Sequence, residues 1–595
     1  MKTDELLYGI IMELDAATKK KLLYGLPAVV GTFLLYKLLK PKPQDKSYLQ
    51  VIARKRNLRD AAVQAFASVP LPSPEKQNLI LYKTVTELKQ GLASGLFTSE
   101  EVMLTYIHRT IEIGLPLEAV TDVNFEEALR IARDCDRQRR EGKATGLLHG
   151  IPISVKDNFH MKGFDATCGM TAHCFQPSEE DSVHVQAVRL QGGIPFVKSN
   201  IPFAVVALDS SNKLWGNVKN PWKQNRTAGG SSGGEAALVA TACSPLGLAN
   251  DLAGSIRFPS SVNGLYGFMC SPERGNTTGE NNIIRRHGGR YLPYFWSRAG
   301  PIGRSVEDLV LMMKTLWSEE VFDMDRLIPR LPFNDSLYQE KGPVVIALVE
   351  NSAWELPTCV KRALYEATAA LQSLGHRVVK VDINLAEVTR NLFEILTAGD
   401  LWTLMGKVKG SEPWPPAAQR KVDIAALPGL VKKLIYAALR LSGSGKLVDV
   451  IQGLGVKSSY ELMAILSKRT ELIRKVIGQL QAVGAQALLM PAAITPAPII
   501  GKGEKVEFAN IYMFAVAHLT FPAGAVPVTV VKEDEQTYEA ARGDVVSEGI
   551  AEAVAGSVGL PVGVQIAALP FQDELCLRLM REVEGVIAFK CTPLG

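Results

Sequence analysis

Three side chains could together run acyl-transfer chemistry: Lys156, which follows the apolar run Ile151–Val155, and Ser231 and Ser255, each set among glycines in GGSSGG and NDLAGS. A serine hydroxyl is a weak nucleophile until a base takes its proton, and no motif places a histidine beside either serine. A lysine can serve instead when burial favours its neutral amine. Other readings of the glycine clusters fit less well. Gly229–Gly233 spells GxSxG, but a nucleophile elbow follows an apolar strand, and NPWKQNRTA (220–228) is loop-like. Neither cluster matches the phosphate loop GxxxxGK[ST], and GSGKL (443–447) lacks the hydroxyl residue after its lysine.

The elements that must position these groups alternate in type. Ile151–Val155 reads as a buried strand delivering Lys156, Val183–Leu190 as a helix and Ile194–Val197 as a second strand. The pattern returns with strand Val344–Val349, helix 358–374 and strand Arg377–Val381, which predicts an α/β architecture. Residues 47–70 and 75–140 carry helical periodicity. Leu427, Leu430, Val431, Leu434, Ile435 and Ala438 predict an amphipathic helix with Lys432, Lys433 and Arg440 on its other faces.

Composition narrows the class. The chain is 47% hydrophobic and 21% charged, ordinary globular material, and its net charge of +5 is too small and scattered to argue for nucleic acid. Eight cysteines without a CxxC pair, and histidines without HExxH, support neither a metal site nor a disulfide framework. The uncharged run Leu22–Tyr36 would span about 22 Å as helix, or about 27 Å if it continues to Leu39. Lysines bracket it, and the denser basic residues on its C-terminal side place the body of the chain in the cytosol.

The blocks HGIPISVKD, GGSSGG and NDLAGSIRFP together resemble the amidase signature family, and SVGLPVGVQIAALPFQDELCLRLMREVE (557–584) is similar to its fatty-acid amide hydrolysing branch. The resemblance implies an amidase-signature fold: a large twisted mixed β-sheet surrounded by many α-helices, here with an N-terminal membrane helix. It implies that Ser255 attacks the carbonyl, that Ser231, joined to Gly230 by a cis peptide, relays the proton, and that Lys156 is the base. Backbone N–H groups of Leu252, Ala253, Gly254 and Ser255 would form the oxyanion hole, with Gly230, Ser232, Asp251 and Arg257 in support. Relatives usually carry glycine where Ala253 stands, so a positive φ there would strain the loop. Val205, Val206 and Leu208 fall where lipid-amide relatives line an acyl channel with larger side chains.

The expected organisation is a membrane anchor at 1–40 (span 22–39), a linker and helical lead-in at 41–75, and one catalytic domain at 76–590 with a membrane-binding cap within 410–455. The expected activity is hydrolysis of fatty-acid amides to fatty acid and amine at a membrane, without cofactor or metal. Lipid amide and membrane lipid are the expected partners, and a homodimer is allowed. The alternatives are a family member acting on small amides or glutamine, and a catalytically dead tethered binding protein.

Overall fold

The computed structural model describes residues 46–275, 279–280, 297–351, 353–398, 412–425, 427–590 and 592–593. The expected anchor at 1–40 lies outside the described residues, as do residues 41–45 of the linker and 410, 411 and 426 of the cap. Among the described residues no helix is long and apolar enough to cross a membrane.

Short apolar segments build the centre. The strands are β1 (Val120–Val123), β2 (Pro152–Lys156), β3 (Ile194–Ser199), β4 (Ser211–Asn212), β5 (Gly216–Asn217), β6 (Leu246–Asp251), β7 (Tyr266–Met269), β8 (Arg298–Gly303), β9 (Val345–Leu348), β10 (Arg377–Lys380), β11 (Ala487–Pro491), β12 (Ala523–Val530) and β13 (Pro561–Ala568). β4 and β5 form a small ribbon, and the other eleven make one mixed sheet in the order β1-β3-β2-β6-β8-β7-β12-β13-β11-β9-β10. β3, β2 and β6 run parallel, as do β11, β9 and β10; the remaining pairs are antiparallel. Every residue of β2, β3, β6 and β13 is buried, as strands covered by helices on both faces require. Helices Phe125–Arg140, Gly233–Ala240, Thr358–Ser373 and Asp573–Ile587 pack against the sheet. The mixed sheet with its helices is the α/β fold expected.

Two local expectations change. The stretch 75–140 is not helical throughout: β1 interrupts it between Ser99–Arg109 and Phe125–Arg140. Four residues, VTDV, are too few to break a helical period in sequence, and pairing with β3 decides their state. The lead-in is a docked helix, Ser47–Gln64. Its Lys55 reaches Asp122 at 2.7 Å and Asp165 at 2.9 Å, Arg59 donates to the Val120 carbonyl at 3.0 Å, and Val51 and Ile52 pack on Cys174, Leu214 and Trp215.

The amphipathic stretch is helix Gly429–Ser442, followed by Gly445–Ile451 and Ser459–Ala482. No side chain of Gly429–Ser442 is fully buried, and Leu430 is 65% and Leu441 56% exposed. The expected basic face is partly engaged within the chain. Lys432 is half-buried with Nζ 3.5 Å from the Leu454 carbonyl, and Arg440 pairs with Asp449 at 2.7 Å.

Candidate active site

Adjacent parallel strands deliver Lys156, Asn250 and Asp251 at their C-terminal ends. β2 ends on Lys156 and β6 on Asn250 and Asp251, with Val155 paired to Leu248 just before. The fully buried Lys156 places Nζ 2.8 Å from Ser231 Oγ, 2.6 Å from Asn250 Oδ1 and 3.3 Å from the Asn250 carbonyl. Burial pushes its pKa down to about 7, against the charges of Glu280, Asp251 and Glu235, which favour the ammonium form. Neutral amine is therefore abundant near neutral pH, as proton abstraction requires.

Ser231 lies two residues before helix Gly233–Ala240, which rests on β2, β3 and β6. The Gly230–Ser231 peptide is cis. A methyl group on Gly230 would collide with the Ala207 carbonyl oxygen, so the close approach of this backbone requires glycine. Ser232 donates its N–H to the Ser255 carbonyl at 3.2 Å, tying the two serine segments together. Ser231 is buried and Ser255 half-buried, so accessibility rises from Lys156 outward. The Ser255 hydroxyl makes no hydrogen bond among the described residues.

The loop from Asp251 to Ser255 is fixed from beneath. Asp251 accepts from the N–H of Gly254 at 2.5 Å and of Ile256 at 3.1 Å, and from Arg257 Nε at 3.0 Å. Burial alone would raise the Asp251 pKa, but the Arg257 guanidinium and these N–H groups hold it below the usual carboxylate value. Arg257, itself fully buried, also donates to the Met513 carbonyl at 3.1 Å and to Gln565 at 2.9 Å. Asp251 thus takes the Gly254 N–H, while those of Leu252, Ala253 and Ser255 meet no acceptor among the described residues. The left-handed residue is Gly254 (φ 128°); Ala253 is not among the residues of positive φ, so its Cβ causes no such strain.

The three expected channel residues separate. Val205 and Val206 pack with Cys168, Met170, Phe203, Ala204 and Trp414, the Phe203 and Trp414 rings 5.1 Å apart. Leu208 instead buries its side chain in the central core, and only its backbone abuts Gly230. The chain turns through left-handed conformations at Ala204 (φ 59°) and Val205 (φ 66°), which divides the three between different surroundings. Sequence reasoning missed Asn250, Glu235 and Glu280. Asn250 lies inside the NDLAGS block and Glu235 at the end of GGSSGGE, so proximity to the motifs was an available signal; Glu280 had none.

Comparison with known proteins settles the relationship. The amidase family model matches residues 101–577. The chain belongs to the amidase family. Among curated members, this amidase is 33% identical over 540 residues to fatty-acid amide hydrolase 1 of Sus scrofa, covering 89% of the chain and 90% of the relative. Fatty acid amide hydrolase 1 of Caenorhabditis elegans is 28% identical over 558 residues, covering 91% and 95% respectively. A solved fatty acid amide hydrolase structure shares the fold, with TM-score 0.69 at 21% identity over 93% of this chain and 92% of that one. The amidase is thus an amide hydrolase.

Proposed function

We propose that this amidase cleaves long-chain fatty-acid amides at a membrane surface, with Ser255 as nucleophile, Ser231 as proton relay and Lys156 as base. The observation that carries the catalytic reading is the buried Lys156 amine, with a pKa near 7, 2.8 Å from Ser231 Oγ. Ser255 Oγ attacks the amide carbonyl and passes its proton to Ser231, whose own proton moves to Lys156 Nζ. The oxyanion is met by the open N–H groups of Leu252, Ala253 and Ser255, each such donor worth about 3–4 kcal/mol in the transition state. The Lys156 ammonium returns its proton through Ser231 to the leaving amine, giving an ester on Ser255. Water attacks that ester along the same proton path and releases the fatty acid.

The lipid substrate is supported by the two fatty-acid amide hydrolase relatives and by the apolar cluster of Val205, Val206, Phe203 and Trp414. The exposed leucines of Gly429–Ser442 support membrane contact. The test is turnover of acyl amides of graded chain length, with glutamine as control. Rising kcat/KM with chain length is expected, and ammonia release from glutamine as the dominant activity would overturn the lipid reading. Ser255→Ala should lose nearly all turnover and all labelling by a fluorophosphonate probe. A wild-type-like Ser255→Ala would remove Ser255 as nucleophile.

A further inference from the structure

A neutral lysine amine has two N–H donors and one lone pair. As general base, it must point the lone pair at the Ser231 hydroxyl, so its two hydrogens need acceptors elsewhere. Asn250 supplies two oxygens: Oδ1 at 2.6 Å and its carbonyl at 3.3 Å from Lys156 Nζ. With both taken, the remaining contact, Ser231 Oγ at 2.8 Å, faces the lone pair.

The carboxamide of Asn250 works this way only with its oxygen toward Lys156. An asparagine side chain flipped by half a turn would present NH₂ to the amine. The other end of the side chain decides: Asn250 Nδ2 donates to Glu280 Oε2 at 2.9 Å. Glu280 is 3% exposed, and the carboxamide lies between a donor and an acceptor that both select the same orientation.

We propose that Glu280, acting through the Asn250 carboxamide, is a positioning residue that aims the Lys156 lone pair at Ser231. This rests on the proposed role of Lys156 as base.

The groups facing Lys156 come from several elements: Glu280, Asp251 at the end of β6, Glu235 on helix Gly233–Ala240 and Cys168 in the loop after β2. Asp251 is neutralised by Arg257 at 3.0 Å. Glu235, bonded to Ser154, has its pKa pushed up to about 7 by burial. Cys168 is buried beside Met170 and Phe203, and its N–H donates to Asp157 at 2.8 Å. Glu280 leads the charges that raise the Lys156 pKa against burial. Removing its charge therefore lowers that pKa further and enriches the neutral amine at lower pH.

The test compares pH–rate profiles of the full chain on one soluble short-chain amide, with folding checked by thermal melts. Glu280→Gln should move the rising limb to lower pH. Asn250→Leu, which removes the amide without removing bulk, should lower kcat about tenfold or more, the worth of one aligned hydrogen bond, with KM little changed. Asn250→Gln should not restore the rate, because its amide is displaced by one methylene. If Glu280→Gln fails to fold, Asn250→Leu decides by its split between kcat and KM. A folded Glu280→Gln with the wild-type limb, or a folded Asn250→Leu with wild-type kcat, overturns the proposal. Lys156→Ala separates the two readings: wild-type turnover there overturns the base assignment itself, whereas an inactive Lys156→Ala beside unaltered Glu280 and Asn250 variants overturns the positioning role alone.

Discussion

At the scale of single residues, the role as base proposed for Lys156 and the stability of the fold pull in opposite directions. The Lys156 pKa falls to about 7 in the fold from an ordinary value of 10.5, so the unfolded chain binds the extra proton between those pH values. The destabilisation is present in full below pH 7 and is relieved as pH rises from about 7 towards 10.5. Lys156→Met should therefore gain thermal stability relative to wild type most at pH 6, and the gain should shrink steadily by pH 9.5. A Tm difference independent of pH would contradict the depressed pKa. Turnover should follow the same group, rising with pH through the neutral range as the amine loses its proton. Ala253 invites the reverse substitution. Since its backbone does not need glycine, Ala253→Gly should cost about 0.4–1 kcal/mol through the entropy of the unfolded chain and leave kcat nearly unchanged. Denaturant melts beside a kinetic assay check both. Lys156 and the two serines were legible in sequence because glycine-flanked serines after a strand-borne lysine form an unusual combination. The Glu280 contact was not, because that residue joins the site only through the folding of a distant segment.

At the scale of elements, legibility followed the length and burial of each segment. The apolar runs that became β2, β3, β9 and β10 announced themselves, each bounded by a change of period. β1 did not, because its identity comes from β3 beside it. The parting of Leu208 from Val205 and Val206 was equally hidden, since it depends on left-handed turns taken by residues with no bias towards them. Helix Gly429–Ser442 was legible as amphipathic, yet its sequence could not say how little of its apolar stripe is covered. Leu430 and Leu441 are its exposed leucines, so Leu430→Glu with Leu441→Glu should weaken pelleting with anionic vesicles and spare activity on a soluble amide. Unchanged pelleting would assign membrane contact to another surface. The lead-in helix offers a second test. Lys55→Ala strips Asp122 and Asp165 of their shared partner in a largely buried setting and should cost on the order of 3 kcal/mol, read from denaturant unfolding. A negligible cost would mean that the helix is held by its apolar contacts alone.

At the scale of the whole molecule, one sheet carries everything. Its parallel strands β3, β2 and β6 set Lys156 and the Asp251–Ser255 loop side by side, and a one-residue slip of β2 would turn Lys156 to the opposite face. The family and fold were legible because whole blocks of sequence serve that arrangement. The order of eleven strands was not, since it is fixed by crossovers between distant segments. Such a sheet has two outer strands, and they are treated differently. β10 begins and ends on charged residues, Arg377 and Lys380, both exposed. β1 has no such charges at its ends, and helix Ser47–Gln64 lies over it instead, with Arg59 occupying the Val120 carbonyl. That helix therefore does more than lead into the catalytic body: it blocks a strand whose hydrogen-bonding groups would otherwise recruit a second chain into a continuous sheet. A chain beginning at residue 65 should form sheet-rich aggregates that grow with protein concentration, visible by light scattering, while a chain beginning at residue 46 stays dispersed under the same conditions.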